Sequence, residues 1–262
     1  VFGKDVRLNR ITRKGKMLCI PLDHGVSIGP SKGLDTISET ISNVAKGGAT
    51  AILAHKGIIK SLEESPSTGI IIHLSASTDI GPAPNRKVCV SSVEEAIRLG
   101  ADAVSVHVNI GSEEEPEMLV KLGAVADKCD EWNMPFIAMM YPRGPNIKDS
   151  RDPEVAAHVA RIGAELGADI VKTPFTGDIE GFRKVTRGCP VPVVIAGGPK
   201  AEDDRSILQM ADDAICAGAI GVTFGRNVFQ NNNPSSITRG LSKVILDRSS
   251  VDDAISELKS FE

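Results

Sequence analysis

In the stretch "GADIVKTPFTGD" (Gly167–Asp178) a lysine, Lys172, closes a run of small and apolar residues that reads as a buried strand. Burying an ammonium is costly, and desolvation lowers a lysine's pKa by as much as several units. A lysine so shifted holds neutral amine near pH 7 and can attack a carbonyl to form a Schiff base. The plainer alternative is a structural lysine paired with a carboxylate such as Asp23. Tyr141, the only tyrosine, closes "PFIAMMY" (Pro135–Tyr141). A phenol there can relay a proton to a substrate hydroxyl or carbon, or simply pack with its hydroxyl satisfied. Asp23 ends "MLCIPLD" (Met17–Asp23) and suits a general base or a loop cap. Together the three supply amine, acid and base.

A second set of residues concerns anions and metals. Gly197-Gly198-Pro199 and Gly225-Arg226 end two further apolar runs. Exposed backbone N–H groups there, with a helix start nearby and the Arg226 guanidinium, make a phosphate site. His55, His73 and His107 end three other runs and could supply three zinc ligands, or could orient substrate hydroxyls within the rim. No H-x-H or H-x-x-x-H spacing supports the zinc reading, so no metal is expected. "GVSIG" (Gly25–Gly29) matches a serine-hydrolase elbow, but Pro30-Ser31-Lys32-Gly33 follows where a helix should begin, and the last histidine is His158. Walker and dinucleotide glycine patterns are absent.

The elements that must position these residues show as a repeat. "GGATAILAHKG", "LGADAVSVHVNIG", "LGADIVKTPFTG" and "AGAIGVTFGRN" each place Gly-Ala directly before a strand-like run. Glycine after a last helical turn is the usual helix stop. Met17–Asp23, Ile70–Ala76, Pro135–Tyr141 and Pro190–Gly198 supply the intervening strands. Helical spacing marks Asp35–Lys46, Val93–Leu99, Pro116–Glu131, Pro153–Leu166, Ile179–Thr186, Asp203–Ala217 and Pro234–Leu246. The connection after the second strand is short and undefined, and a Pro/Gly-rich loop, "STDIGPAPNRK", follows the third. Strand–helix alternation with apolar strands lacking a polar face predicts parallel strands buried on both sides. The expected fold is a (β/α)8 TIM barrel, one domain over residues 1–262, with "VDDAISELKSFE" as an extra C-terminal helix. An open doubly wound sheet is the alternative. The site then lies where the C-terminal ends of the strands meet. Those ends carry Asp23-His24-Gly25, His55-Lys56, His73 and Ser75, His107 and Asn109, Tyr141, Lys172, Gly197-Gly198 and Gly225-Arg226.

Aromatic residues make up 3% of the chain, so small aliphatics must fill the core. The formal net charge of −4 gives no global basic field for nucleic acid. No apolar run approaches the roughly 20 residues of a membrane span. Five cysteines lie far apart with no C-x-x-C pair, which excludes a disulfide framework and fits a reducing cytoplasm. The opening "VFGKDVRLNRITRKGK" lacks the apolar centre of a secretory signal and is expected to cover the base of the domain.

"PLDHGVSIGP", "MMYPRG", "GADIVKTPFTGD", "VIAGGPK" and "TFGRNVFQ" together resemble the archaeal-type class I aldolase family, over essentially the whole chain. The resemblance implies a (β/α)8 barrel that acts through a lysine imine with no cofactor, commonly as a homo-oligomer, in that family a homodecamer. It assigns the Schiff base to Lys172, the proton donor to Tyr141 and the proton acceptor to Asp23. It places substrate contacts at Asp23, His24, Gly25, Val26 and Ser27, at Tyr141, Pro142 and Arg143, at Gly197 and Gly198, and at Gly225 and Arg226. The branch it favours is a transaldolase that moves a three-carbon unit from a phosphorylated keto-sugar to a small aldehyde in aromatic amino acid biosynthesis. "LDHG", "MMYPRG" and "HVNIGS" separate it from the fructose-1,6-bisphosphate aldolase branch, which resembles "YDHG" and "WSYPRG" and is the alternative. Met139 stands where that branch has a tryptophan.

Overall fold

Eight parallel strands close on themselves in the computed structural model, which describes residues 2–260. In chain order they are Met17–Pro21, Ala51–Ala54, Gly69–His73, Ala103–Ile110, Phe136–Pro142, Ile170–Pro174, Val193–Ala196 and Gly221–Thr223. Each pairs with its sequence neighbours, and the first closes the ring against the last, Cys19 standing opposite both Ala51 and Thr223. The closed barrel therefore holds and the open sheet does not.

Both strand faces are buried, which explains why the strands lack polar faces. One face joins Met17, Cys19, Leu53, Ile71, Ile137, Met139, Ile170 and Val194 inside the barrel. The other packs, with Leu18, Ile20, Ile52, Ile72, Val104 and Val171, against the surrounding helices. Aliphatic side chains fill the inside, as the scarcity of aromatics requires. The fully buried phenylalanines Phe136, Phe182, Phe224 and Phe229 belong to the outer layer.

The Gly-Ala repeat has a specific structural role. Gly48, Gly100, Gly167 and Gly218 all take φ between 79° and 102°. The following alanine N–H reaches back to the carbonyls of Val44, Ala96, Gly163 and Ala214 respectively, at 2.9–3.1 Å. This is the Schellman stop, in which a left-handed residue lets the chain leave the helix and turn at once into a strand. The next residue is used too. Thr50 Oγ1 accepts from Leu18 N at 2.9 Å, Asp102 Oδ2 from Ile70 N at 3.0 Å, and Asp169 Oδ2 from Phe136 N at 2.8 Å. Each side chain thus ties the start of an even-numbered strand to the odd-numbered strand before it. Each also holds the N-terminal helix Phe2–Ile11: Thr50 donates to Ile11 O, Asp102 accepts from Arg10 and Asp169 from Lys4. That helix closes the barrel's N-terminal end and sets Ile11 in its interior, as expected of the opening segment.

Some details differ from the sequence reading. The connection after the second strand is a short helix, Lys56–Ser61, and the Pro/Gly-rich loop holds a small antiparallel pair, Ser75–Ala76 with Val88–Cys89. A single helical turn, Gly25–Ile28, does begin inside "GVSIG". All five cysteines are free. The C-terminal helix, Val251–Ser260, packs on the helices Pro234–Leu246 and Asp204–Cys216; Phe261 and Glu262 of the predicted tail lie outside the described residues.

The repeat gives a paired stability test. At Gly167, φ is +100° and an added Cβ would stand 2.9 Å from the Ala126 Cβ, whereas Gly123, inside the helix Glu115–Glu131, has open space. Gly167→Ala is expected to lower the unfolding free energy by roughly 1–2 kcal/mol, and Gly123→Ala to raise it by about 0.5–1 kcal/mol. Urea titration of both variants checks the contrast.

Candidate active site

Lys172 faces the barrel interior because Ile170, two residues earlier on the same strand, does so. Its neighbours across the sheet are Met139 and Val194, both in the inner core. The alkyl stem therefore lies on hydrocarbon while the tip reaches the cavity at the C-terminal end of the barrel, a common compromise for lysine. Lys172 is only 5% exposed and makes no hydrogen bond or direct ion pair among the described residues. The reading in which it is a structural partner of Asp23 has no contact to support it.

The cavity, of about 1190 Å³, is bordered by Asp23, His24, Ser27, His107, Met139, Tyr141, Pro142, Arg143, Lys172, Gly197, Gly198, Gly225 and Arg226, among others. Nearly all the expected site residues thus meet. Gly25 and Val26 do not border it; they lie on the single turn Gly25–Ile28, where Val26 is 39% exposed. Ser27 Oγ donates to Ser77 O at 3.2 Å and meets no histidine, so the hydrolase elbow has no catalytic partner. Lys56 turns outward to Glu95 at 2.9 Å.

Behind Asp23 lies a buried polar chain. The His73 ring pairs with Ser105 Oγ at 2.7 Å and Ser75 Oγ at 3.2 Å, and its Nε2 stands 3.9 Å from Asp23 Oδ2. His24 Nδ1 is 3.5 Å from the other carboxylate oxygen. Ser75 Oγ in turn accepts the His107 N–H at 2.9 Å, and the His107 ring meets Asn109 at 2.8 Å. Both His73 nitrogens and one of His107 are spoken for by these contacts. The described residues hold no group of three or more His, Cys, Asp or Glu side chains placed for a metal ion. Two groups meet the Tyr141 ring: the His107 ring stacks on it at 4.6 Å, and the Arg143 guanidinium lies 5.8 Å from its centroid.

Burial pushes the Asp23 carboxyl up, but the fields of His73, His24, Lys172 and His55 outweigh it, and the group sits below the usual carboxylate range. Burial drives His73 down to about 3 and lowers His24, His55 and His107 as well. The histidines are therefore neutral at pH 7, and Lys172 is among the groups whose fields favour the Asp23 carboxylate.

Asn227, Lys87, Arg151, Lys200 and Arg205 also border or shape the site and carried no signal in the sequence reading. Asn227, 2% exposed, donates to Gly197 O at 3.0 Å and accepts from Ala201 N at 2.8 Å, fixing the loop after the seventh strand. Arg226 donates to Gly198 O at 3.0 Å. Lys87, Arg151, Lys200 and Arg205 join Arg143, Lys172 and Arg226 on the cavity wall, against Asp23, Asp79 and Asp213. Seven cations to three carboxylates make a positive mouth on a chain whose formal charge is negative, and such a mouth draws in anions.

A model of the DeoC/LacD family aldolases matches residues 17–231. The chain belongs to this family. It is 44% identical over 248 residues to the 2-amino-4,5-dihydroxy-6-oxo-7-(phosphonooxy)heptanoate synthase of Streptomyces griseus, covering 93% of this chain and 90% of that one. It is 42% identical over 247 residues to 2-amino-3,7-dideoxy-D-threo-hept-6-ulosonate synthase 1 of Archaeoglobus fulgidus, covering 94% and 92%. Among solved structures it is similar to an archaeal fructose-1,6-bisphosphate aldolase with its catalytic lysine bound to a carbinolamine intermediate: TM-score 0.86, 28% identity, 92% of this chain and 99% of that one. No helix among the described residues is long and apolar enough to cross a membrane.

The histidine shifts predict a pH dependence for this aldolase-family barrel. An unfolded histidine takes up its proton near pH 6.5, whereas the folded groups stay neutral to lower pH. The unfolded state then binds more protons, so stability is full above about pH 6.5 and falls as pH drops towards 3. Thermal unfolding between pH 7 and 4 should show a falling midpoint, with the loss beginning well above the range where Asp23 takes a proton. A midpoint flat across that range would contradict the neutral histidines.

Proposed function

We propose that the chain is a class I, lysine-imine transaldolase: a 2-amino-3,7-dideoxy-D-threo-hept-6-ulosonate synthase that joins a three-carbon unit from 6-deoxy-5-ketofructose 1-phosphate to L-aspartate semialdehyde in aromatic amino acid biosynthesis. The observation that carries this reading is a buried, unpaired lysine whose tip opens on a cationic cavity between a carboxylate and a phenol. The family and the two synthases at 42–44% identity support it; fructose-1,6-bisphosphate aldolase, at 28% identity, has less support.

The steps follow from these groups. The Lys172 amine adds to the donor ketone, and loss of water gives an iminium. Asp23 takes the proton of the neighbouring hydroxyl, the C–C bond breaks, and its electron pair enters the iminium to leave an enamine. The first aldehyde departs and carries the donor's phosphate with it. The enamine carbon attacks the acceptor aldehyde, the new alkoxide takes a proton from the Tyr141 hydroxyl, the proton taken by Asp23 returns to the phenolate, and water hydrolyses the imine to free product and amine. Gly197, Gly198, Gly225 and Arg226 hold the phosphate. Assembly into a homo-oligomer, a decamer in the form the family resemblance implies, and a cytoplasmic place belong to the same reading.

Borohydride reduction with the donor should fix about one donor-derived fragment per chain, at Lys172 by peptide mass. Lys172→Ala should abolish turnover and trapping. Tyr141→Phe should slow turnover by about 10²–10⁴-fold, the usual worth of general acid–base help, and still be trapped. A fragment on another residue, or full turnover in Lys172→Ala, sinks the reading.

A further inference from the structure

Among the charged groups on the cavity wall to which the steps above give no task, one is buried. Lys87 lies in the loop after the third strand, 9% exposed, and borders the cavity. Its ammonium donates to Ser77 Oγ, a neutral partner that leaves the charge uncancelled. A buried ammonium with one neutral partner is costly unless an anion completes it. The charged groups whose fields act on it are Arg143, Asp79 and Asp23, and all three border the cavity.

The loop is built to hold Lys87 in place. Ser77 Oγ donates to Pro84 O at 2.7 Å, Ser27 Oγ to Ser77 O at 3.2 Å, and Asp79 N to Ser27 O at 3.2 Å. On the other side, Asn109 Nδ2 donates to Asn85 O at 2.8 Å, and Asn109 is the partner of the His107 that stacks on Tyr141. The loop is thus tied both to the turn that follows Asp23 and to the shelf beneath Tyr141.

Position on the ring separates this group from the phosphate loops. Strand order around the barrel follows the chain, so the third strand stands opposite the seventh and the fourth opposite the eighth. The loop that carries Lys87 thus leaves the ring opposite the strands that end at Gly197, Gly198 and Arg226, with the strands of Lys172 and Tyr141 on the arc between. A ligand charged at both ends would span the site. The Streptomyces griseus relative is named for a product of this kind, a heptanoate with an amino group on carbon 2 and a phosphonooxy group on carbon 7. The two relatives' product names share the 2-amino acid end and differ at the other.

We propose that Lys87, Arg143 and Asp79 form a subsite for an α-amino carboxylate, which takes the amino-acid end of the acceptor aldehyde. The inference rests on the transaldolase reading above. Lys87 and Arg143 bind the carboxylate; Asp79, the exposed carboxylate beside them, binds the ammonium. The subsite fixes which aldehyde the enamine meets, and the aldehyde carbon then points back towards Lys172.

The test compares acceptors at saturating donor: L-aspartate semialdehyde, succinic semialdehyde, which lacks the ammonium, and propanal, which lacks both charges. In the unaltered chain kcat/KM should fall roughly 10–100-fold with each charged group removed, as loss of a charge-assisted hydrogen bond implies. Lys87→Gln should collapse the preference for succinic semialdehyde over propanal. Asp79→Asn should collapse the preference for aspartate semialdehyde over succinic semialdehyde. These ratios are internal to each variant, so a general loss of activity does not obscure them. Equal use of all three aldehydes by the unaltered chain overturns the subsite, as does an unchanged ratio in Lys87→Gln or a defect confined to the KM of the phosphorylated donor. Borohydride trapping of the donor on the unaltered chain separates the two claims: without it the transaldolase reading fails, and with it a flat acceptor series defeats the subsite alone.

Discussion

A lysine on a strand buried on both faces cannot leave its charge among hydrocarbons, so the barrel must bring its tip to an opening. Lys172 meets this constraint by lying along Met139 and Val194 and ending at the cavity with no direct ion pair. The rest of the site answers to that placement. Asp23, ionised and backed by His73, supplies the opposite charge from the first strand's end without touching the amine. A direct salt bridge would have occupied the side-chain tip; with the carboxylate at one remove the tip stays open to the cavity.

The two ends of the barrel do different work. At the N-terminal end Thr50, Asp102 and Asp169 each bridge two strands and the first helix, so that polar groups there are consumed by structure. At the C-terminal end the polar groups face a cavity, and the contacts behind them orient rather than occupy them. Tyr141 shows this well: its ring meets the His107 ring and the Arg143 guanidinium, while its hydroxyl makes no hydrogen bond among the described residues. Asn227 does the same for the glycine loop by binding Gly197 and Ala201 together.

Much of this was legible in the sequence because it repeats or alternates. The Gly-Ala motif marked four helix stops, and the same four glycines hold left-handed dihedrals. Lys172 stood out because a cation broke an apolar run. Lys87 did not, because "STDIGPAPNRK" is polar, has no period, and hides a buried lysine among exposed neighbours. Asn227 was equally silent, since its role depends on a loop thirty residues away in the chain. His55 and Lys56 show the converse: both end a strand, yet neither borders the cavity, since the chain turns at once into the helix Lys56–Ser61 and Lys56 pairs with Glu95. Strand ends say which residues reach the rim; the turn that follows decides which way they point.

The account rests on a covalent bond between the Lys172 nitrogen and a ketone carbon. The most direct measurement is a crystal structure of the chain soaked with the phosphorylated keto-sugar. Continuous density from Nζ to the ketone carbon, with the phosphate against Gly197, Gly198 and Arg226, is the expected result. Ordered ketone lying at van der Waals distance from Nζ in every copy would contradict it.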